Sequence, residues 1–152
     1  MKRMIFAIVL IVLAVYIAPL NLRPLVDPDE TRYAEIPREM IASGDYVVPR
    51  LAGVLYFEKP VMGYWLNAVS MNIFGQNHFA LRFPQALSVI LTALGIFYLA
   101  RRFGNGTEAG LAAALVYLSS VQVFAVGVFN TLDSALTLFL SGSLGAFFMA
   151  WD

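Results

Sequence analysis

Four long apolar stretches, at about residues 4–20, 83–100, 109–129 and 132–150, leave this chain few ways to fold. A backbone placed in hydrocarbon must satisfy its own hydrogen bonds, so stretches near the roughly 20 residues that cross a bilayer core read as helices. Hydrophobic residues make up 60% of the chain and charged residues 13%, against about half and a quarter in soluble domains. The chain therefore reads as an all-α integral membrane protein with four transmembrane helices. The first stretch follows Met1-Lys2-Arg3 as a signal peptide would, but Ala18 precedes Pro19 and no small-x-small cleavage site is evident, so it is read as a retained anchor. Ten basic residues balance ten acidic ones, which offers no basic surface for nucleic acid. With no cysteine, a disulfide or thiolate metal site is excluded.

Counting crossings places the loop at residues 21–82 and the corner at residues 130–133 on one face of the membrane. Asp29, Glu30, Glu58, Lys59 and Asp133 can then meet. Lys2, Arg3, Arg101 and Arg102 hug the opposite face, which the positive-inside rule makes cytoplasmic, so the long loop is expected to be periplasmic. Asn105-Gly106-Thr107 is read as a turn between the second and third spans rather than as a glycosylation site, with Thr107 as a helix cap.

Two juxtamembrane amphipathic helices are predicted in the loop. Tyr33, Ile36, Met40 and Ile41 recur at helical spacing, while Arg32, Glu35 and Glu39 fall largely elsewhere, which describes a helix at the interface. Asp29 suits its start and Gly44 its end, and Pro37 should bend it. Pro60 and Gly75 bracket a second helix over residues 61–74, in which Tyr64 and Trp65 suit the headgroup layer. Between the helices, Tyr46-Val47-Val48-Pro49 and Val54-Leu55-Tyr56-Phe57 read as extended connectors carrying Glu58 and Lys59.

Each charged residue has a structural reading beside a functional one. Asp29 can cap its helix, act chemically, or both. Glu30 reads as a solvated or structural acid, and Arg32 and Glu35 as an ordinary helical pair. Asp133 is by default a helix-start acid, His78 an interfacial surface residue and Arg82 a headgroup anchor for the second span.

The runs Asp29-Glu30-Thr31-Arg32-Tyr33-Ala34-Glu35-Ile36, Tyr56-Phe57-Glu58-Lys59-Pro60, Leu81-Arg82-Phe83-Pro84 and Asn130-Thr131-Leu132-Asp133 resemble the N-terminal part of bacterial 4-amino-4-deoxy-L-arabinose transferases. Those are GT-C membrane glycosyltransferases, related to protein O-mannosyltransferases. The resemblance implies inverting transfer of a sugar from a polyprenyl-phosphate donor to lipid A or a protein acceptor at the periplasmic side of the inner membrane. Carried over by position, it implies a catalytic carboxylate at Asp29 and a second at Asp133, with Arg32, Tyr56, Glu58 and Lys59 lining the donor-phosphate region. It allows a divalent metal at Glu58, whose further ligands would lie beyond Asp152; a single histidine and no cysteine leave no self-sufficient metal set. Pro37 and Val61 depart from the family pattern. Family members usually carry many more spans and a soluble C-terminal domain, so the sequence is read as an N-terminal fragment, residues 1–152 forming its membrane part, expected to be inactive alone. The competing classes are a transporter subunit, which predicts charge buried inside spans where none is read, and a noncatalytic membrane scaffold, which leaves the clustered acids and bases unexplained.

Overall fold

The structure is a computed structural model that describes residues 2–104 and 106–151. Its helices are α1 (Lys2–Tyr16), α2 (Asp29–Ser43), α3 (Met62–Phe74), α4 (His78–Phe103), α5 (Thr107–Ser119), α6 (Val121–Val128) and α7 (Asp133–Trp151), with a 3-10 turn at Ala18–Asn21. The fold is not wholly α. A two-residue ladder pairs β1 (Arg50–Leu51) with β2 (Val54–Leu55), antiparallel, across a turn in which Ala52 and Gly53 both take positive φ. That is the turn geometry whose twist matches a hairpin. Of the predicted connectors, only the second contributes a strand.

Helices α4 and α7 are each long and apolar enough to cross a membrane, and α5 with α6 makes a third if the bent pair counts as one crossing. The stretch 109–129, predicted as one span, breaks at Ser120, where the two halves meet at 67°. Ser120 is extended, at φ −67 and ψ 129. The neighbouring Ser119 turns its hydroxyl back onto the Val116 carbonyl at 3.1 Å, a local bond that competes with helix continuation. Tyr16, at the end of α1, donates to the Leu118 carbonyl at 2.7 Å, beside the break, and its ring meets Phe124 edge-on. The turn read at Asn105 lies outside the described residues. Thr107 is the first residue of α5 rather than its cap, which is Gly106.

Helix α4 is the centre of the bundle, touching α3, α5, α6 and α7. It starts at His78, earlier than the apolar pattern indicates, because Asn77 caps it by accepting from the Ala80 amide at 2.9 Å. Helix α2 ends at Gly44, in the left-handed region at φ 71, and α3 ends at Gly75 with Val61 at its N-cap. The apolar face of α2 does not lie on lipid as expected. Tyr33, Ile36 and Met40 are buried against Tyr64, with Leu51, Tyr56 and Leu132 packed around them. Pro37 sits inside α2 and has no N–H, so the Tyr33 carbonyl loses its helical donor. Asn67 of α3 takes that place, donating to the Tyr33 carbonyl at 3.3 Å. The proline thereby helps dock α3 onto α2.

Close helix crossing accounts for one glycine. A Cβ on Gly110 of α5 would stand 2.7 Å from the Phe97 carbonyl oxygen of α4, a backbone atom that cannot turn aside. Gly110→Ala is therefore expected to destabilise the protein by about 1–3 kcal/mol, the usual cost of overpacking. Gly142→Ala, where nothing lies within 4 Å, should be neutral. Thermal unfolding of both variants in detergent micelles checks this, and equal melting temperatures would contradict the close crossing.

Candidate active site

The floor of the site is a buried ion pair. Arg82, one turn into α4, is fully buried and its guanidinium is completely satisfied. Nε and Nη2 donate to the two oxygens of Glu30 at 2.8 and 2.9 Å, Nη1 to the carbonyls of Leu20 and Arg23, and Nη2 also to that of Pro24. All five N–H donors are engaged. Glu30 is 1% exposed and also accepts from Arg23 at 2.6 and 3.2 Å, from the Val26 amide at 3.0 Å and from the Asn130 amide at 2.8 Å. Arg23 is half-buried, stacks over Phe129 at 3.9 Å and donates to the Val128 carbonyl. Asn130 continues the network: its side-chain oxygen accepts from Asn67 and Gln85, and Gln85 in turn accepts from Ser134 at 2.8 Å.

Two readings are corrected here. Arg82 is not a headgroup anchor, and charge is buried within the helical bundle after all; since every donor of Arg82 is taken by the protein, that charge holds structure and offers nothing to a transported solute. Of the two readings given for Glu30, the structural one holds. The Asn67–Gln85–Asn130–Ser134 chain was missed as well, although polar residues inside otherwise apolar helices were a visible signal.

The rim of the site carries the predicted functional residues. Asp29 is the first residue of α2, with Pro28 at the N-cap, so it does not occupy the cap position assigned to it, although an acid in the first turn suits the helix dipole. It is exposed, and so is Asp133 at the start of α7. Arg32 does not pair with Glu35, which binds Arg38 instead at 2.6 and 2.7 Å. It turns to the connector after β2, donating to the Tyr56 hydroxyl at 3.2 Å and facing Glu58 at 3.8 Å. The Tyr56 hydroxyl donates to Glu58 in a close contact. Lys59 is exposed beside this trio.

Tyr33 ties the rim together. Burial pushes its hydroxyl up, and the charges of Asp29 and Glu58 push it further, against an opposing pull from Arg32 that exceeds the last and smallest push, from Asp133. Both candidate carboxylates, the arginine and Glu58 thus share the field at one phenol. Such a rim can hold an anion at its cations and a proton at its acids. Among the described residues no three His, Asp or Glu side chains come together, and Glu58 is engaged by Tyr56 and Arg32. His78 is half-buried at the start of α4.

Residues 58–152 match the family described as dolichyl-phosphate-mannose-protein mannosyltransferase. The chain is similar to the undecaprenyl phosphate-alpha-4-amino-4-deoxy-L-arabinose arabinosyl transferase of Edwardsiella ictaluri, 45% identical over 95% of this chain and 26% of that protein. It is also similar to the second such transferase of Proteus mirabilis, 47% identical over 89% of this chain and 24% of the other. Among solved structures it resembles ArnT from Cupriavidus metallidurans bound to undecaprenyl phosphate, with a TM-score of 0.90 and 37% identity over 95% of this chain and 26% of that one. The chain thus spans about a quarter of the length of the relatives it matches.

The Glu30 clamp has a measurable signature. Burial alone would raise its carboxyl; the hydrogen bonds from Arg82, Arg23 and the Asn130 and Val26 amides outweigh burial and pull it down to about 2 from an ordinary 4.5. A folded value below the unfolded one means that its contribution, roughly 3 kcal/mol, is fully present above pH 4.5 and is lost as pH falls towards 2. Glu30→Gln leaves Arg82 buried without its anion, which typically costs about 3–5 kcal/mol. The gap in stability between the wild-type protein and this variant should be widest at neutral pH and close between pH 4.5 and 2. A gap independent of pH, read from chemical or thermal unfolding, would show that Glu30 is not the ionised partner.

Proposed function

We propose, from the fact that the chain belongs to the dolichyl-phosphate-mannose-protein mannosyltransferase family, that it forms the acidic side of a site transferring a sugar from a polyprenyl phosphate to a periplasmic acceptor. The observation that carries this reading is the rim itself: Arg32 donates to Tyr56 and faces Glu58 at 3.8 Å, and exposed Asp29 stands one turn earlier on the same helix, so that an acid that can take a proton lies near a cation that can hold a phosphate. The undecaprenyl phosphate bound by the similar ArnT structure supports the donor class. The names of the similar transferases support 4-amino-4-deoxy-L-arabinose as the sugar, and lipid A is the acceptor we favour.

In this reaction an acceptor hydroxyl attacks the anomeric carbon, the bond from that carbon to the phosphate oxygen breaks, and configuration inverts in one displacement. Asp29 takes the proton from the acceptor oxygen as the new bond forms. Arg32 and Lys59 stabilise the charge that builds on the departing polyprenyl phosphate. Tyr56 and Glu58 hold Arg32 at the rim before the donor arrives. Asp133 is the second carboxylate, placed to orient the acceptor or the sugar. The site lies on the outer face of the bacterial inner membrane, with four crossings at residues 4–20, 83–100, 109–129 and 132–150 and the loop at residues 21–82 outside. The basic pairs at residues 2–3 and 101–102 lie on the inner side.

Asp29→Asn tests the assignment, because the residue is exposed and the substitution preserves its size. Transfer of aminoarabinose to lipid A, in membranes of cells expressing a full-length transferase that carries this sequence, should fall about a hundredfold or more, the usual cost of losing a general base, with expression and melting temperature nearly unchanged. Near-normal transfer by Asp29→Asn, with a large loss in Asp133→Asn, would move the role of base to Asp133.

A further inference from the structure

The hydroxyl of Tyr64 has no partner. Its side chain is fully buried, and its oxygen makes no hydrogen bond among the described residues. An unpaired buried donor is costly and rare, and each one asks for an explanation. The ring lies in the small core below the rim, 6.3 Å from the Tyr33 ring, with Tyr56 packed against the same cluster. Tyr56, packed on this core, is also the residue that bonds Arg32 and Glu58, so the orphan phenol shares a core with the base of that trio.

The partners of Tyr56 show what Tyr64 can do. A phenol oxygen donates once and accepts up to twice. Tyr56 donates to Glu58 and accepts from Arg32. The side chain of Arg32 is 29% exposed, so it is free to swing towards an anion at the rim, and Tyr56 then loses its donor. We propose that Tyr64 is a positioning residue for the polyprenyl-phosphate donor: when Arg32 turns to the lipid phosphate, the Tyr64 hydroxyl donates to the Tyr56 oxygen in its place and keeps the Tyr56–Glu58 pair aligned. This inference rests on the donor class proposed above. Tyr64 touches no reacting atom in this scheme and acts only through Tyr56.

Titration of a detergent-solubilised full-length transferase that carries this sequence with undecaprenyl phosphate tests it. Tyr64→Phe removes only the hydroxyl, so the lipid-free melting temperature should not fall, while the Kd for undecaprenyl phosphate should rise about threefold to tenfold, the yield of one net hydrogen bond. In a Tyr56→Phe background the same substitution should weaken binding no further, because its partner is gone. A lower lipid-free melting temperature would overturn the inference, since the hydroxyl would already be partnered. So would unchanged affinity, or equal weakening in both backgrounds. Arg32→Ala separates the two levels. If it weakens binding and Tyr64→Phe does not, only the role of Tyr64 fails; if the wild-type protein does not bind the lipid at all, the donor reading fails and this inference with it.

Discussion

The pair between Glu30 of α2 and Arg82 of α4 is the interaction on which the rest of the site depends. It joins the first turn of a loop helix to the first turns of the central helix, and through the Asn130 amide, with Arg23 adding the Val128 carbonyl, it also grips the corner between α6 and α7. Asp29 and Asp133 stand one and three residues from gripped positions. Their relative placement is thus set by a buried bond that neither takes part in. Ion pairs withdrawn from water recover their desolvation cost only when the geometry is complete. Here it is complete, with five donors engaged on Arg82 and six hydrogen bonds received by Glu30.

A rigid floor and an exposed rim divide the labour. The floor continues through Asn67, Gln85 and Ser134, which fasten α3 and α7 to the same centre, and Pro37 contributes by freeing a carbonyl for Asn67. On the rim, Arg32, Tyr56 and Glu58 are held by one another and remain partly open to solvent. Preorganised supporting residues beneath accessible charged ones let the rim exchange a side-chain partner for a phosphate while the floor stays in place.

Much of this was legible in the sequence. The loop helices emerge from apolar spacing and from Gly44 and Gly75, and the Asp-Glu-Thr-Arg-Tyr run together with Tyr-Phe-Glu-Lys-Pro pointed to residues that do converge. What was not legible has physical reasons. Asp29 and Glu30 are adjacent acids, and helical periodicity separates apolar from polar faces without saying which polar residue turns inward to meet an arginine 52 positions away. Arg82 stood just outside an apolar window and was assigned to the surface, whereas the Asn77 cap extends α4 to include it. The break at Ser120 follows from two adjacent serines in a stretch whose hydropathy alone reads as one helix. The hairpin at residues 50–55 is two residues per strand, too short for alternation to register.

Whether the buried clamp sets the geometry of the exposed acids can be measured as a distance. Nitroxide labels on Asp29→Cys and Asp133→Cys, both at exposed positions, report their separation by pulsed electron paramagnetic resonance in the protein with and without Arg82→Met. The intact clamp should give a single narrow distribution, and Arg82→Met should broaden or displace it while helical content is retained. An unchanged narrow distribution in the Arg82→Met protein would mean that the two carboxylates are placed by something other than Glu30 and Arg82.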